Sequence, residues 1–423
     1  MVLRRNFTRP GTSRCRPLPA SADGCRPDRA RPGRRREHAD IDAPISGTCS
    51  PDLAPVAEEF HRNFTERGEV GAACCVICDG EVVLDLQGGW TDAEGTAPWQ
   101  PDTIVDVYSC GKAIAATLVL RSLGRAGLSV DTPLVEIWPE FGAAGKEWVT
   151  VRHALSHRAA VPAIRERLSA DDLFDWSAMT AALAATEPWW REGERHAYHT
   201  NTFGHLTGEI VRRITGQMPG DVLRPIADAL DADVWFGVPE GEQRRCADVI
   251  WDPPRRELPD PWSVTGDVQM NLLASLNPPS YSSIGVVNTP RWRALGLPST
   301  GGHGSARGLA RFYAGLLDDG RVLPRPVLDE ATRPQSVGPC PILADDVTFG
   351  LGFTPTTERR PLGTNPRSFG HFGTGGAVGF ADPDARIAFG YVMNHVIPRW
   401  QSTRNRALID SLYSCLSAPA DRG

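Results

Sequence analysis

In the stretch "PDLAPVAEEFHRNFTERG", Leu53, Val56, Phe60 and Phe64 recur at helical spacing and predict an amphipathic helix. Two apolar runs then flank Asp79-Gly80 in "GAACCVICDGEVVLDLQGGW", the pattern of a β-hairpin over 71–90. From about Val105 to Leu317 helical spacing dominates. Its clearest segments are 150–157, 171–185, 207–216 and 305–317, the last with Ser305 as N-cap and Leu309, Phe312 and Leu316 on one face. Proline-rich connections at 252–262 and 277–290 read as surface loops or pocket walls. From Val347 the period returns to that of strands. "AVGFADPDARIAFGYVMN" holds a turn at "DPDAR" between two apolar runs, and "RNRALIDSLYSCL" closes the chain as a helix.

This order, helix, hairpin, helical block, strands, helix, predicts an α+β fold: an antiparallel sheet built from both chain ends, flanked by helices, with a helical domain inserted between them. One lobe takes residues 51–105 and 345–423, the other 106–344. The cleft between them is the natural pocket. Residues 1–50 read as a disordered Arg-rich tail.

Charge sharpens the picture. Residues 1–36 carry eleven Arg against Asp23 and Asp28, so in a chain of net charge −6 the remainder stands near −15. An acidic body argues against nucleic acid as a partner. No apolar run reaches the length of a membrane span. Cys75 and Cys78 form a C-x-x-C inside a predicted strand, without the second pair or histidine of a zinc set. They read as buried thiols in a reducing compartment, which points to the cytoplasm.

The chemistry begins with an anomaly of composition. The chain uses arginine almost everywhere and lysine only at 112 and 146. Arginine keeps its proton at any cellular pH, whereas a buried lysine can lose it. Lys112 follows Ser109 by three positions at the start of a helical run, so the two side chains share a face, near the positive end of the helix dipole. A desolvated Lys112 could take the Ser109 proton. Tyr198 lies in a loop just ahead of another helix, where a phenol can project into a cleft and shuttle a proton. In "SFGHFGTGGAVGF", Gly373, Gly375 and Gly376 allow close backbone approach at a strand edge, where an N–H can serve an oxyanion hole.

These three elements, in this order and at these separations, resemble serine hydrolases of the class C β-lactamase fold, and within it family VIII carboxylesterases. "DTIVDVYSCGKAIAATL", "VTVRHALSHRAAVPAI", "AYHTNTFGHLTGEIVRRITG", "GGHGSARGLARFYAGLL" and "GHFGTGGAVGFADPDARIAFGYVMN" carry the resemblance over roughly residues 53–416. It implies a β-lactamase/transpeptidase-like fold with Ser109 as nucleophile and Lys112 and Tyr198 as partners in proton transfer, without saying which is the base. It further implies an oxyanion hole from the backbone N–H groups of Ser109 and Thr374. His371, Phe372 and Gly373 stand where β-lactamases have Lys-Thr-Gly. The tyrosine motif departs as well, with Thr200 where the family has Asn and Asn201 one position later. Both departures argue against a β-lactam and favour an uncharged ester.

His199, next to Tyr198, is a candidate substrate contact. His153 and His157 read as part of a packing helix and not as metal ligands. Trp189, Trp190, Trp251 and Trp262 either line an acyl pocket or pack in the core. The expected activity is cleavage of small carboxylic esters through an acyl-enzyme, without metal or cofactor. Acyl transfer by the same intermediate, β-lactamase or D-amino-acid peptidase activity, and a non-catalytic binding role are the alternatives. The expected partner is a small-molecule ester or acyl donor, with neither nucleic acid nor membrane. The sequence does not specify an oligomeric state.

Overall fold

The computed structural model describes residues 44–252, 258–397 and 399–417. In chain order its strands are β1 (Ile45–Cys49), β2 (Gly71–Cys78), β3 (Glu81–Gly89), β4 (Val105–Asp106), β5 (Val234–Phe236) and β6 (Gly302–Gly304). They continue with β7 (Ser336–Cys340), β8 (Asp345–Phe349), β9 (Thr354–Pro355), β10 (Phe369–Phe372), β11 (Val378–Asp382) and β12 (Ile387–Met393). The helices that cover the sheet or lead into the site are α1 (Ala54–Glu66), α2 (Gly111–Ala126), α3 (Thr202–Thr215), α4 (Ala306–Leu317) and α5 (Thr403–Ser417).

The main sheet has the order β1-β3-β2-β12-β11-β10-β9, and every pairing in it is antiparallel. The expected hairpin is present. Asp79 and Gly80 turn it with φ of 50° and 86°, a pair of left-handed residues whose twist matches that of the flanking strands. β2 and β12, from opposite ends of the chain, meet at the centre, so the sheet closes only when both ends are in place.

Alternation along β12 shows how the sheet is covered. Gly390 faces α4, where a Cβ would stand 2.1 Å from the Ala306 carbonyl oxygen. Its neighbour Tyr391 points to the other face and hydrogen-bonds Glu69, which pairs at 2.9 Å with Arg404 of α5. α4 has the expected N-cap, the Ser305 hydroxyl accepting from the Gly308 N–H at 3.0 Å. It packs on β2, β11 and β12, although its place in the sequence put it in the helical block.

Two expectations need correction. Residues 45–49 are not tail but the edge strand β1, paired with β3. Its alternation is weak because three of its five residues, Ser46, Gly47 and Thr48, are exposed. Residues 1–43 lie outside the described residues. The strand cysteines divide: Cys74 and Cys75 are buried thiols, whereas Cys78 is disulfide-bonded. The argument for a reducing compartment loses that support. No helix among the described residues is long and apolar enough to cross a membrane. The 277–290 connection is mixed, with Pro279, Ile284 and Asn288 exposed and Asn277, Tyr281 and Ser283 fully buried.

Candidate active site

Ser109 sits in the single turn Tyr108–Cys110 that leads into α2. α2 is buried along most of its length, from Gly111 to Leu123, and ends at Gly127 in the left-handed conformation. The turn is strained: Tyr108 has a φ of 49°, unusual for a residue with a bulky side chain. Asp106 holds it there. One carboxylate oxygen accepts the Tyr108 N–H at 2.8 Å and the other accepts the Trp292 indole N–H at 2.9 Å. The Tyr108 hydroxyl accepts from Trp251 Nε1 at 3.0 Å and from Ser283 Oγ at 3.2 Å. Burial without a cationic partner pushes the Asp106 carboxyl up to about 7.

The three residues expected to act together do meet. Tyr198 donates its hydroxyl to Ser109 Oγ at 2.8 Å, and Lys112 Nζ stands 3.1 Å from the same oxygen. Lys112 is fully buried and donates to two backbone carbonyls, Thr200 at 2.7 Å and Ser299 at 3.0 Å. No carboxylate pairs with it among the described residues. Desolvation therefore holds its pKa well below the ordinary lysine value.

Nζ then has three neighbours, the Thr200 and Ser299 carbonyls and Ser109 Oγ. An ammonium donates to all three, whereas a neutral amine, with two N–H groups and one lone pair, can keep both carbonyls and turn its lone pair to the Ser109 hydroxyl. Burial raises the Tyr198 phenol, which keeps it protonated and able to donate. Its ring is wedged by aromatic neighbours: His157 at 4.9 Å, Trp400 at 5.1 Å and Phe349 at 5.6 Å between centroids.

The departure in the tyrosine motif now has a physical reading. Position 200 serves Lys112 through its carbonyl, which any side chain would leave intact. Asn201 turns away, donating to the Ala274 carbonyl at 2.7 Å and Ser282 Oγ at 2.9 Å.

The glycine-rich strand end closes on the same turn. A Cβ at Gly373 would stand 2.4 Å from the Val107 carbonyl oxygen, so only glycine lets the end of β10 come this near the nucleophile. The Cys110 thiol donates to the His371 carbonyl at 3.3 Å across the same junction. The next residue, Thr374, is half-buried, and its N–H has no hydrogen-bond partner among the described residues. Phe372 is buried and stacks on Trp400 with centroids 6.2 Å apart. His371 is buried beside the Tyr198 ring, with Nδ1 2.7 Å from the Phe372 carbonyl. Desolvation lowers its pKa to about 3, so it carries no charge near neutrality.

One candidate is spent elsewhere. The His199 ring donates from Nδ1 to the Ala197 carbonyl at 2.7 Å and accepts the Val161 N–H on Nε2 at 3.3 Å. It is fully buried, with no nitrogen left for a substrate. His199 is thus a structural residue, against expectation. His157 likewise packs, accepting the His199 N–H on Nδ1 at 3.1 Å. Of the four tryptophans, Trp189, Trp190 and Trp262 pack around Met270 and Ala274, and Trp251 holds Tyr108.

Sequence reasoning missed Asp106, the carbonyls of Thr200 and Ser299, and the aromatic wall of Phe349 and Trp400. Only Asp106 left a signal, as a carboxylate within an otherwise apolar run three residues before Ser109.

Comparison with known proteins agrees with this geometry. A family model described as Beta-lactamase matches residues 58–413. The chain is 31% identical over 371 residues to the esterase/beta-lactamase LipL of Mycobacterium tuberculosis, covering 84% of this chain and 83% of that protein. It is 28% identical to the esterase EstB of Burkholderia gladioli over 66% of this chain and 73% of that protein. Among solved structures, a family VIII carboxylesterase superposes with a TM-score of 0.80 at 34% identity, over 88% of this chain and all of that one. A penicillin-binding protein homologue from Caulobacter crescentus gives the same TM-score at 33% identity and the same coverage. The chain therefore belongs to the beta-lactamase family, and within that fold it is a serine ester hydrolase.

Proposed function

We propose that the enzyme cleaves carboxylic esters through an acyl-enzyme on Ser109, with Lys112 as the general base. The observation that carries this is the setting of Lys112: a buried Nζ with no carboxylate partner among the described residues, whose neighbours are two carbonyls and Ser109 Oγ, so that the neutral amine can turn its lone pair to the serine hydroxyl. In the first half-reaction Ser109 Oγ attacks the ester carbonyl carbon while its proton moves to Lys112 Nζ. The N–H groups of Ser109 and Thr374 receive the oxyanion. The tetrahedral intermediate then breaks its bond to the alkoxy oxygen. The departing alcohol takes its proton from Tyr198, and the phenolate left behind takes the proton that Lys112 gained from Ser109, so that one proton passes in net from the serine to the alcohol. In the second half-reaction water gives a proton to the same pair and attacks the acyl carbon, releasing the acid and restoring the serine.

The ammonium formed on Lys112 is transient and tolerable, because the Thr200 and Ser299 carbonyls already face it. The account is tested with p-nitrophenyl butyrate. Steady nitrophenol release, with an acyl adduct on Ser109 detected by mass spectrometry and both lost in Ser109→Ala, is the expected result. Release that persists in Ser109→Ala would overturn it. A rate that climbs with added alcohol would move the assignment from hydrolysis to acyl transfer.

A further inference from the structure

A lysine in place of His371 would draw an anion, and the neutral, buried His371 does not. Positive charge nevertheless reaches the same end of β10 from other segments. A cavity of about 440 Å³ opens beside Thr374 and Trp400, within the size range of small-molecule sites. Arg359, Arg360 and Arg399 line it, against the single carboxylate of Asp345.

Asp345 is shared by two of the three arginines, at 2.6 Å from Arg359 and 2.5 Å from Arg360. Asp346 lies further off, 3.8 Å from Arg359 and largely exposed. Even with both aspartates counted, one positive charge remains. It falls to Arg399, which has no ion-pair or hydrogen-bond partner for its guanidinium among the described residues. An unpaired guanidinium presents a planar fork that matches a carboxylate bidentately.

The cavity is close to the chemistry. Trp400 forms its wall and at the same time contacts the Tyr198 ring and stacks on Phe372. Thr374, whose N–H is the candidate oxyanion donor, borders it. A substrate with its reacting carbonyl at Ser109 and Thr374 would extend past Trp400 into a basic vestibule.

We propose that this vestibule binds a carboxylate carried by the ester, so that the enzyme prefers esters with a free carboxylate over matched neutral ones. The inference rests on the ester-hydrolase reading and specifies its substrate class.

Two matched pairs test it, one for each side of the ester bond. Mono-p-nitrophenyl adipate against p-nitrophenyl hexanoate places the carboxylate on the acyl portion. 6-Acetoxyhexanoate against hexyl acetate places it on the alcohol portion. In one of the two pairs kcat/KM favours the anion, and the preference shrinks as salt is raised from 0.01 M to 0.5 M. Arg399→Gln lowers the anion-to-neutral ratio about tenfold, the scale of one charge-assisted hydrogen bond, and Arg399→Lys restores part of it. Neutral esters turned over as well as or better than both anions would overturn the inference alone, as would a preference indifferent to salt and to Arg399→Gln. Turnover of none of the four esters would overturn the hydrolase reading with it.

Discussion

Lys112 and Lys146, the only lysines in the chain, are both fully buried and both bind backbone carbonyls, yet their third partners differ. Lys146 Nζ donates to Ala143 at 2.5 Å, Ala184 at 2.8 Å and Thr186 at 2.7 Å. Three carbonyls for three N–H groups satisfy the ammonium. Burial lowers its pKa to about 8, opposed by the neighbouring Glu147 carboxylate. Lys112 has two carbonyls, and its third neighbour is a hydroxyl that can itself give up a proton. Lys146 ties a loop to the end of the helix Trp176–Ala185, whereas Lys112 keeps one side of Nζ against Ser109 Oγ. Under the proposed mechanism, one partner in three separates a structural lysine from a reactive one.

The sharpest way to break this comparison is to exchange each lysine for arginine. Lys112→Arg keeps the positive charge and the donors but cannot accept a proton, so kcat is expected to fall by about 10³-fold or more. Lys146→Arg leaves kcat of the folded enzyme as it was, and its effect is read in thermal unfolding. Equal losses of kcat in the two variants would contradict the distinction.

Tyr198→Phe comes next. It removes the donor to Ser109 Oγ and the proton for the leaving group while leaving the ring packing in place. A fall in kcat of about 10²-fold with little change in KM is expected, at the low end of general acid–base effects. A larger deficit for poorly leaving alkyl alcohols than for nitrophenol would tie it to leaving-group protonation.

Smaller effects belong to the supports. Lys146→Met orphans three carbonyls and is expected to destabilise by about 3 kcal/mol in denaturant unfolding. Asp106→Asn turns one acceptor into a donor facing the Tyr108 or Trp292 N–H, at a cost of about 1–3 kcal/mol. The Asp106 carboxyl is raised from 3.8 to about 7, so over that window the folded protein binds more protons here than the unfolded chain. This contribution to stability therefore falls as pH rises from about 4 to 7 and is constant above, and the slope disappears in Asp106→Asn.

The pair Ser109 and Lys112 was legible from its three-residue spacing and the rarity of lysine. Tyr198, 89 positions beyond Ser109, and the strand-edge glycines were legible from their place ahead of a helix and at a strand edge together with the family resemblance. What remained hidden is backbone. The carbonyls of Thr200 and Ser299 that face Lys112 Nζ belong to every residue alike and leave no mark in sequence. Lysine rarity by itself also misleads, since Lys146 is as rare as Lys112 and serves only structure. His199 shows the converse error: adjacency to Tyr198 along the chain says nothing of direction, and its ring points into the fold. Helix α4 was legible as a helix but not as a layer on the sheet, because that placement depends on Gly379 and Gly390 making room for it.

The account stands or falls on which proton Lys112 holds. With two lysines in the chain, ¹³Cε-lysine labelling gives two NMR signals, and Lys112→Met removes one and assigns both. Followed against pH, the Lys112 signal is expected to titrate well below 10.5, and the acid limb of kcat/KM is expected to coincide with it, activity rising as Lys112 loses its proton. A Lys112 signal that titrates near 10.5, in an enzyme fully active at pH 7, would contradict Lys112 as the base.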